Sequence, residues 1–312
     1  SNMTVSVLSV NDGPRTTVSD LIGAPTMIPA RILNLLDNAF LSETILRNGG
    51  SNTNGLVGYS ESTPLYLGSD VADVAEFAEI PVAAGERGTP RIAVSTVKAL
   101  GVRISRLMRD RNKIDDVNTQ ITQLTNTMIR ADERALRQLL LNPAIPTIAA
   151  SAAWNTSGGK PRHDIANAME VVGSASRTET DDDDETFGFL ADTMVLPTSL
   201  TPALQDNEEF LKVYTDSLAP ESIAYTGRLP KDILGLAPLT SRSWPLNRVL
   251  VVERGTVGFY SDERPLESTG LYPEGNGPNG GATESWRADT SRARVMGTDQ
   301  PLAACWITGV VS

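Results

Sequence analysis

The sequence predicts an α+β fold in which one long helix lies across β structure. Three observations predict it. Residues 92–104 alternate, with Ile92, Val94, Leu100, Val102 and Ile104 on one face and Ala93, Ser95, Ala99, Gly101 and Arg103 on the other, the period of a half-buried strand. From Asn112 onward the spacing changes to three and four, through Ile114, Val117, Ile121, Leu124, Met128, Ala131, Ala135 and Leu139, the pattern of a helix. After Pro230 short β runs alternate with turns, so strands and helices are intermingled.

Residues 1–27 are rich in Ser, Thr, Pro and Gly and read as an extended arm. A helix is expected from Pro29 to Leu46, because Ile32, Leu35, Leu36, Ala39, Phe40 and Leu46 share a face and Pro29 suits a first turn; Asn48, Gly49 and Gly50 stop it. Short strands follow at Leu56–Glu61 and Leu65–Leu67, and residues 70–84 give no assignment. The turn Gly85-Glu86-Arg87-Gly88-Thr89-Pro90 feeds the alternating strand, which at more than ten residues projects from a body rather than packing within one. The long helix, capped by Asn112, carrying Asp115 and Asp116 in its first turn and stopped by Asn142-Pro143, spans about 28 residues or ~40 Å. Its flanking Thr, Asn and Gln argue for a single helix on a sheet over a coiled coil. A short helix near Ala166–Val171, the acidic run Asp181–Glu185, and a strand with one or two helices over 187–214 complete the middle of the chain.

Composition bounds the function. The chain has 312 residues, 40% of them hydrophobic, enough for a real core. A net charge of -11 argues against nucleic acid as a primary ligand, since phosphate affinity comes from Lys and Arg. One cysteine, Cys305, allows no internal disulfide, and no apolar stretch approaches the length of a membrane span. The amino-terminal residues lack the regions of a signal peptide, so synthesis in a cytoplasm is expected. Asn155-Thr156-Ser157 is then only a formal glycosylation match.

Chemistry is thinly supplied. His163 has no nucleophile motif beside it, one His and one Cys cannot build a metal centre, and Asp181–Glu185 lacks the ligand spacing of a calcium loop. Gly275, Gly277 and Gly280 satisfy GxGxxG, but outside the strand-to-helix setting that gives the motif meaning. No catalytic, cofactor or metal residue is expected. Arginine usage is more informative: 22 Arg stand against five Lys, and Arg103, Arg106, Arg109 and Arg111 gather where the strand meets the long helix. Guanidinium forks pair with carboxylates and tolerate desolvation, as protein interfaces require, although pairing within the helix start is an equal reading. The acidic stretch Asp70–Ile80 of a neighbouring copy could supply the partners.

In order, an extended arm, a long two-stranded loop, a long helix, a mixed domain and a returning strand resemble the major capsid proteins of tailed bacteriophages, a fold shared with encapsulins and the herpesvirus capsid floor. Ser19–Gly50 is similar to the arm of capsid proteins from phages of actinobacteria, Ala72–Ser105 to the family's extended loop, Ala191–Asn207 to the axial domain's strand, turn and helix, and Ala293–Val310 to the closing peripheral strand. The resemblance implies an arm over 1–52, an extended loop over 53–100, a peripheral domain with spine helix over 101–160, an axial domain over 161–288 and a peripheral return strand over 289–312. It also implies pentamers and hexamers in an icosahedral shell around double-stranded DNA that is not read by sequence. Partners would be further copies, a separate scaffolding protein or none, a portal, and minor or decoration proteins, in a virion with no membrane and no cofactor. Contacts between subunits are expected at Glu76, Phe77, Glu79, Glu86 and Arg87, with Glu86 and Arg87 at the loop tip, and at Arg103, Arg106, Arg109 and Arg111. The lysine that some members use for covalent crosslinking is missing, since none precedes Lys98. An encapsulin compartment is the alternative.

Overall fold

The computed structural model describes residues 16–176, 186–214 and 229–312, so the acidic run Asp181–Glu185 lies outside the described residues. In chain order the elements are α1 (Val18–Gly23), α2 (Met27–Leu36), α3 (Leu41–Ile45), β1 (Arg47–Ser51), β2 (Leu56–Glu61), β3 (Thr89–Val94), β4 (Thr96–Ser105), α4 (Arg106–Asp110) and α5 (Ile114–Leu140). There follow β5 (Thr147–Ala149), α6 (Pro161–Gly173), β6 (Thr193–Pro197), α7 (Thr201–Asp206), α8 (Glu208–Tyr214), β7 (Ala237–Ser241), β8 (Arg248–Val252), β9 (Phe259–Ser268), β10 (Tyr272–Pro273), β11 (Ser285–Gly297) and β12 (Ala304–Thr308).

Two sheets organise the molecule. The first centres on β11, which pairs along its length with β4, from Ser285↔Ser105 to Arg294↔Thr96, and on its other side with β10 and β9, with β1 outermost. Alternation along β4 and β11 turns Val102, Ile104, Trp286 and Ala288 to one face, where the Ile114, Val117, Ile121, Leu124 and Met128 stripe of α5 and Ile28 and Ile32 of α2 cover them. The second sheet has the order β5-β12-β8-β6-β7, with α6, α7 and α8 packing through Ile165, Val172, Leu204 and Phe210. The end of α5 joins the two. Leu136 and Leu140 pack with Ile45, Trp244 and Trp306, and the Trp306 indole N–H donates to the Leu140 carbonyl at 2.7 Å.

Several expectations are corrected. Residues 18–23 are helical, because Thr17 and Asp20 form a reciprocal capping box. The expected helix over Pro29–Leu46 is two helices, interrupted where Asn38 takes a left-handed φ of 55°, and Asn48–Gly50 belong to β1. Leu65–Leu67 form no strand. The long alternating strand breaks at Ser95, whose N–H donates to the Gly55 carbonyl at 2.8 Å: residues before it pair with β2, residues after it with β11. Asn112 does not cap α5. Its side chain accepts instead from the Val18 N–H at 2.9 Å and so ties α1 to the start of the long helix. The helix itself is 27 residues long, and beyond Met128 its buried stripe moves to Asp132, Leu136 and Leu140. A strict seven-residue count drifts relative to 3.6 residues per turn, which displaces Ala131, Ala135 and Leu139. The helix near Ala166–Val171 extends over Pro161–Gly173. The second sheet also takes β5 from 101–160 and β12 from 289–312, since both hydrogen-bond into it.

Candidate assembly surfaces

The first surface is an arm. Strands β2 and β3 pair from Leu56↔Val94 to Glu61↔Thr89, and Gly88 sits so close to the Glu61 carbonyl and the Thr63 nitrogen that no side chain fits there. Beyond this neck the Gly68 N–H donates to the Ala84 carbonyl at 3.2 Å and the Ala78 N–H to the Ala75 carbonyl at 3.0 Å. The chain therefore reverses at Ala75–Ala78. Glu76 and Phe77 stand at the tip, with Phe77 at φ 67°, and Glu79 is beside them. Glu86 and Arg87 are on the returning limb near the neck, which corrects their expected place at the tip: the register of β2 with β3 fixes the point of reversal.

Most large hydrophobic residues left exposed among the described residues lie between Leu56 and Leu100, with Val71 96% and Phe77 99% accessible. An apolar surface on that scale marks a contact not made within the chain. At its neck the arm is tied to the body where the Ser62 N–H donates to the Asp299 carbonyl at 2.8 Å, and Arg47 of β1 pairs with the same Asp299; within the arm, Arg91 pairs with Glu61 across β2 and β3 at 3.0 Å.

The second surface is the arginine cluster at the junction of β4, α4 and α5. Arg103 pairs with Glu274 at 2.8 Å, Arg106 with Glu284 at 2.7 Å and with Asp110 at 3.5 Å, and Arg109 with Asp110 at 3.1 Å while lying over the Trp286 ring. Arg111 is exposed and makes no ion pair with the described residues. Three of the four thus find carboxylates in their own chain. The hydrogen bond and charge of Glu284 hold the Arg106 guanidinium above its ordinary range. The Ser285 hydroxyl, against partial desolvation and helped by Arg103, holds the Glu274 carboxyl below its own. Gly101 makes room for this polar face, because a Cβ there would meet the Asp289 carboxylate, which accepts from Tyr272 and Arg287.

The sequence reading missed a buried joint. Arg292 and Arg294 project from β11 toward α5 and α3, and both are buried. Arg292 pairs with Asp132 of α5 at 2.9 Å and lies 4.4 Å from the centre of the Phe40 ring. Asp132 also accepts from the Ser42 hydroxyl at 2.6 Å and the Ser42 N–H at 3.1 Å. Arg294 donates to Ser42 Oγ at 2.9 Å, to Glu43 at 2.8 Å and to Asp262 at 2.6 Å. Long helix, sheet and amino-terminal segment are thereby locked together. The one available signal was period two, which puts Arg292 and Arg294 on the face of Ala288 and Thr290.

Other candidates are placed as follows. His163 is exposed on α6, rather than in a loop, 3.4 Å from Asn167. Gly275, Gly277 and Gly280 lie in the turn between β10 and β11, ahead of a strand and not a helix. Cys305 is buried in β12, where desolvation raises its thiol to about 12. Among the described residues no cluster of His, Cys, Asp and Glu could hold a metal, and no helix is long and apolar enough to cross a membrane.

A neck-anchored arm with bare apolar side chains, on a body with its own rigid core, defines a structural protein that associates through projecting elements. A family model described as phage capsid protein matches residues 88–305, and the chain belongs to that family. No curated protein matches the sequence. Among solved structures the fold is similar to that of Gordonia phage Cozz, with 12% identity over 97% of this chain and 98% of that one and a TM-score of 0.57. It is also similar to the capsid of a native GTA particle, with 15% identity, 86% and 89% coverage and a TM-score of 0.58. A virus-like particle from Pyrococcus furiosus has 11% identity, 90% and 97% coverage and a TM-score of 0.56.

Proposed function

We propose that this phage capsid protein is the major shell subunit, assembling as pentamers and hexamers into an icosahedral head that encloses double-stranded DNA. The observation that carries the reading is the arm: Val71, Phe77, Ile80 and Val82 stand out in solvent beyond a neck fixed to the body, and contact with adjacent copies would bury them. The first sheet with α5 would be the peripheral domain, the second sheet with α6–α8 the axial domain, and residues 53–100 the extended loop. Residues 1–52 would be the amino-terminal arm, held at Ser42 and Glu43 by the buried joint. Glu76, Phe77, Glu79, Glu86 and Arg87 would contact neighbours along the loop, and Arg111, with any of Arg103, Arg106 and Arg109 that exchange partners, at the base. A net charge of -11 suits a container that must not grip its contents. A scaffolding protein, a portal and minor or decoration proteins are the further partners, with synthesis in the host cytoplasm. The role is assembly and not turnover.

Electron microscopy with sedimentation of the chain, expressed alone and beside its genomic neighbours, tests this. Closed shells or capsomers are expected; a strictly monomeric chain in both preparations would overturn it. The likeness to a virus-like particle supports a second reading, a compartment around protein cargo. DNA in native particles decides for the phage head, protein cargo for the compartment.

A further inference from the structure

The turn between β10 and β11 holds chemistry that assembly does not use. The chain has four Asn-Gly pairs: Asn48-Gly49, Asn54-Gly55, Asn276-Gly277 and Asn279-Gly280. In such a pair the peptide nitrogen that follows the asparagine carries no side chain beside it, so it can reach the asparagine's own amide carbon. Two conditions decide whether it does. The asparagine side chain must be free to swing onto that nitrogen, and the nitrogen must not be held elsewhere.

Three of the pairs are restrained. Asn48 Oδ1 accepts from the Gly50 N–H at 2.9 Å, and the pair lies in β1, in register with β9. Asn54 Oδ1 accepts from the Leu56 N–H at 3.3 Å, while the Gly55 N–H donates to Asn52 Oδ1 at 2.9 Å. Asn279 Oδ1 accepts from Arg109 Nη2 at 3.2 Å, and Gly280 is buried in the single helical turn Pro278–Gly280. Asn276 differs on each count. It is exposed, and neither its side chain nor the Gly277 N–H has a hydrogen-bond partner among the described residues. Gly277 takes φ 121°, in the region that favours glycine, and has no Cβ to shield its nitrogen.

We infer that Asn276 is a site of spontaneous covalent modification in the folded chain, converting through a cyclic imide to isoaspartate and aspartate while the other three pairs are protected. The Gly277 nitrogen gives up its proton to base and bonds to Asn276 Cγ. The Cγ–Nδ2 bond breaks, and the amide nitrogen takes a proton from solvent and leaves as ammonia. Water then opens the imide: attack at Cγ restores the ordinary backbone with an aspartate, and attack at the main-chain carbonyl carbon leaves isoaspartate. One water is consumed and one ammonia released, so no other reactant is needed.

Either product places a carboxylate two residues from Glu274, which Arg103 and Ser285 hold. The isoaspartyl form also lengthens the backbone by a methylene, inside a turn so tight that a Cβ on Gly281 would fall 2.5 Å from the Gly275 Cα. That turn must open to accept it, which loosens Glu274 from the arginine cluster.

Incubation of the unassembled full chain at pH 7 and pH 9 tests this, with each Asn-Gly peptide quantified by mass spectrometry and isoaspartate scored by enzymatic methylation of its carboxylate. Asn276 is expected to convert about tenfold faster than any of the other three, because each hydrogen bond that must first open slows the reaction about two- to tenfold. Conversion should be faster at pH 9, since the deprotonated nitrogen gains about tenfold per pH unit. In urea the folded contacts are gone, and the four rates should converge to within about threefold. Equal rates in the folded chain would overturn the inference. So would a preference for Asn276 that survives undiminished in urea, because sequence and not structure would then select the site. Asn276→Ser should remove most of the methylated product; undiminished methylation in that variant places the modification elsewhere and overturns the assignment.

Discussion

Two regions of this molecule use charge in opposite ways. In the joint of Ser42, Asp132, Arg292 and Arg294 the ions are buried and answered within 3.1 Å by partners from three separate parts of the chain. On the arm, the carboxylates of Asp70, Asp73, Glu76 and Glu79 have no cation in pairing distance among the described residues, and large apolar groups such as Val71 and Phe77 are held out in solvent. A buried charge without a partner costs several kcal/mol, so the joint must be complete inside one subunit. An exposed charge costs nothing to leave open, so the arm can wait for another copy. The joint is therefore where single substitutions harm folding, and the arm where they harm assembly alone.

The joint gives the largest expected effect. Asp132→Ala leaves Arg292, whose Nε and Nη1 already lack partners, as a buried cation without its carboxylate. A loss of about 3–5 kcal/mol in the unfolding free energy of the unassembled chain is expected from urea titration. Replacing both members, Asp132→Leu with Arg292→Met, should recover most of it, since the cost lies in the stranded charge. If the single variant unfolds like the parent, the joint is not the clamp described here. Next in size is Trp306→Phe, which removes the indole donor to the Leu140 carbonyl and thins the stack on Trp244, where the rings are 5.5 Å apart. A loss of about 2–3 kcal/mol is expected from the same titration.

The same contrast explains what could be read from the sequence. The apolar stripe of α5, the alternation of 100–104 and the strand and helices of 193–214 were legible because periodicity reports burial directly. The joint was not, because Asp132 breaks an apolar stripe and Arg292 and Arg294 look like solvent residues; only tertiary pairing makes them interior. Asn112 illustrates a related failure. Its side chain does cap a helix, but one 94 positions away in sequence. On the arm, the expected tip at Glu86 and Arg87 fell on the returning limb, since the reversal depends on the pairing of β2 with β3 and not on the Gly-rich turn.

A smaller effect probes the arginine cluster between these extremes. Glu274 is held below its ordinary range, first by the Ser285 hydroxyl and then, after opposing desolvation, by Arg103. A depressed carboxyl contributes stability that is present above its unfolded value of about 4.3 and is lost as pH falls through the folded value. The stability difference between the parent and Glu274→Gln should thus be constant from pH 7 to about 5 and shrink toward zero below about pH 4. A difference that is flat, or that grows on acidification, would show that Glu274 is not stabilised by Ser285 and Arg103.

The smallest expected effect on folding sits at the tip. Phe77 is 99% exposed and adopts φ 67°, a left-handed conformation that costs a non-glycine residue about 1–2 kcal/mol. Phe77→Gly removes that strain but adds unfolded-state entropy worth roughly 0.5–1 kcal/mol, so the unfolding free energy of the unassembled chain should rise by between zero and about 1.5 kcal/mol. Assembly should respond with the opposite sensitivity, because the ring is among the largest apolar groups the arm can bury on a neighbour. A variant that folds as well as its parent yet forms few shells is the signature of a side chain whose partner lies in another molecule. If folding and assembly fall together, Phe77 belongs to its own subunit, and the division between a finished joint and an unfinished arm does not hold at its most exposed point.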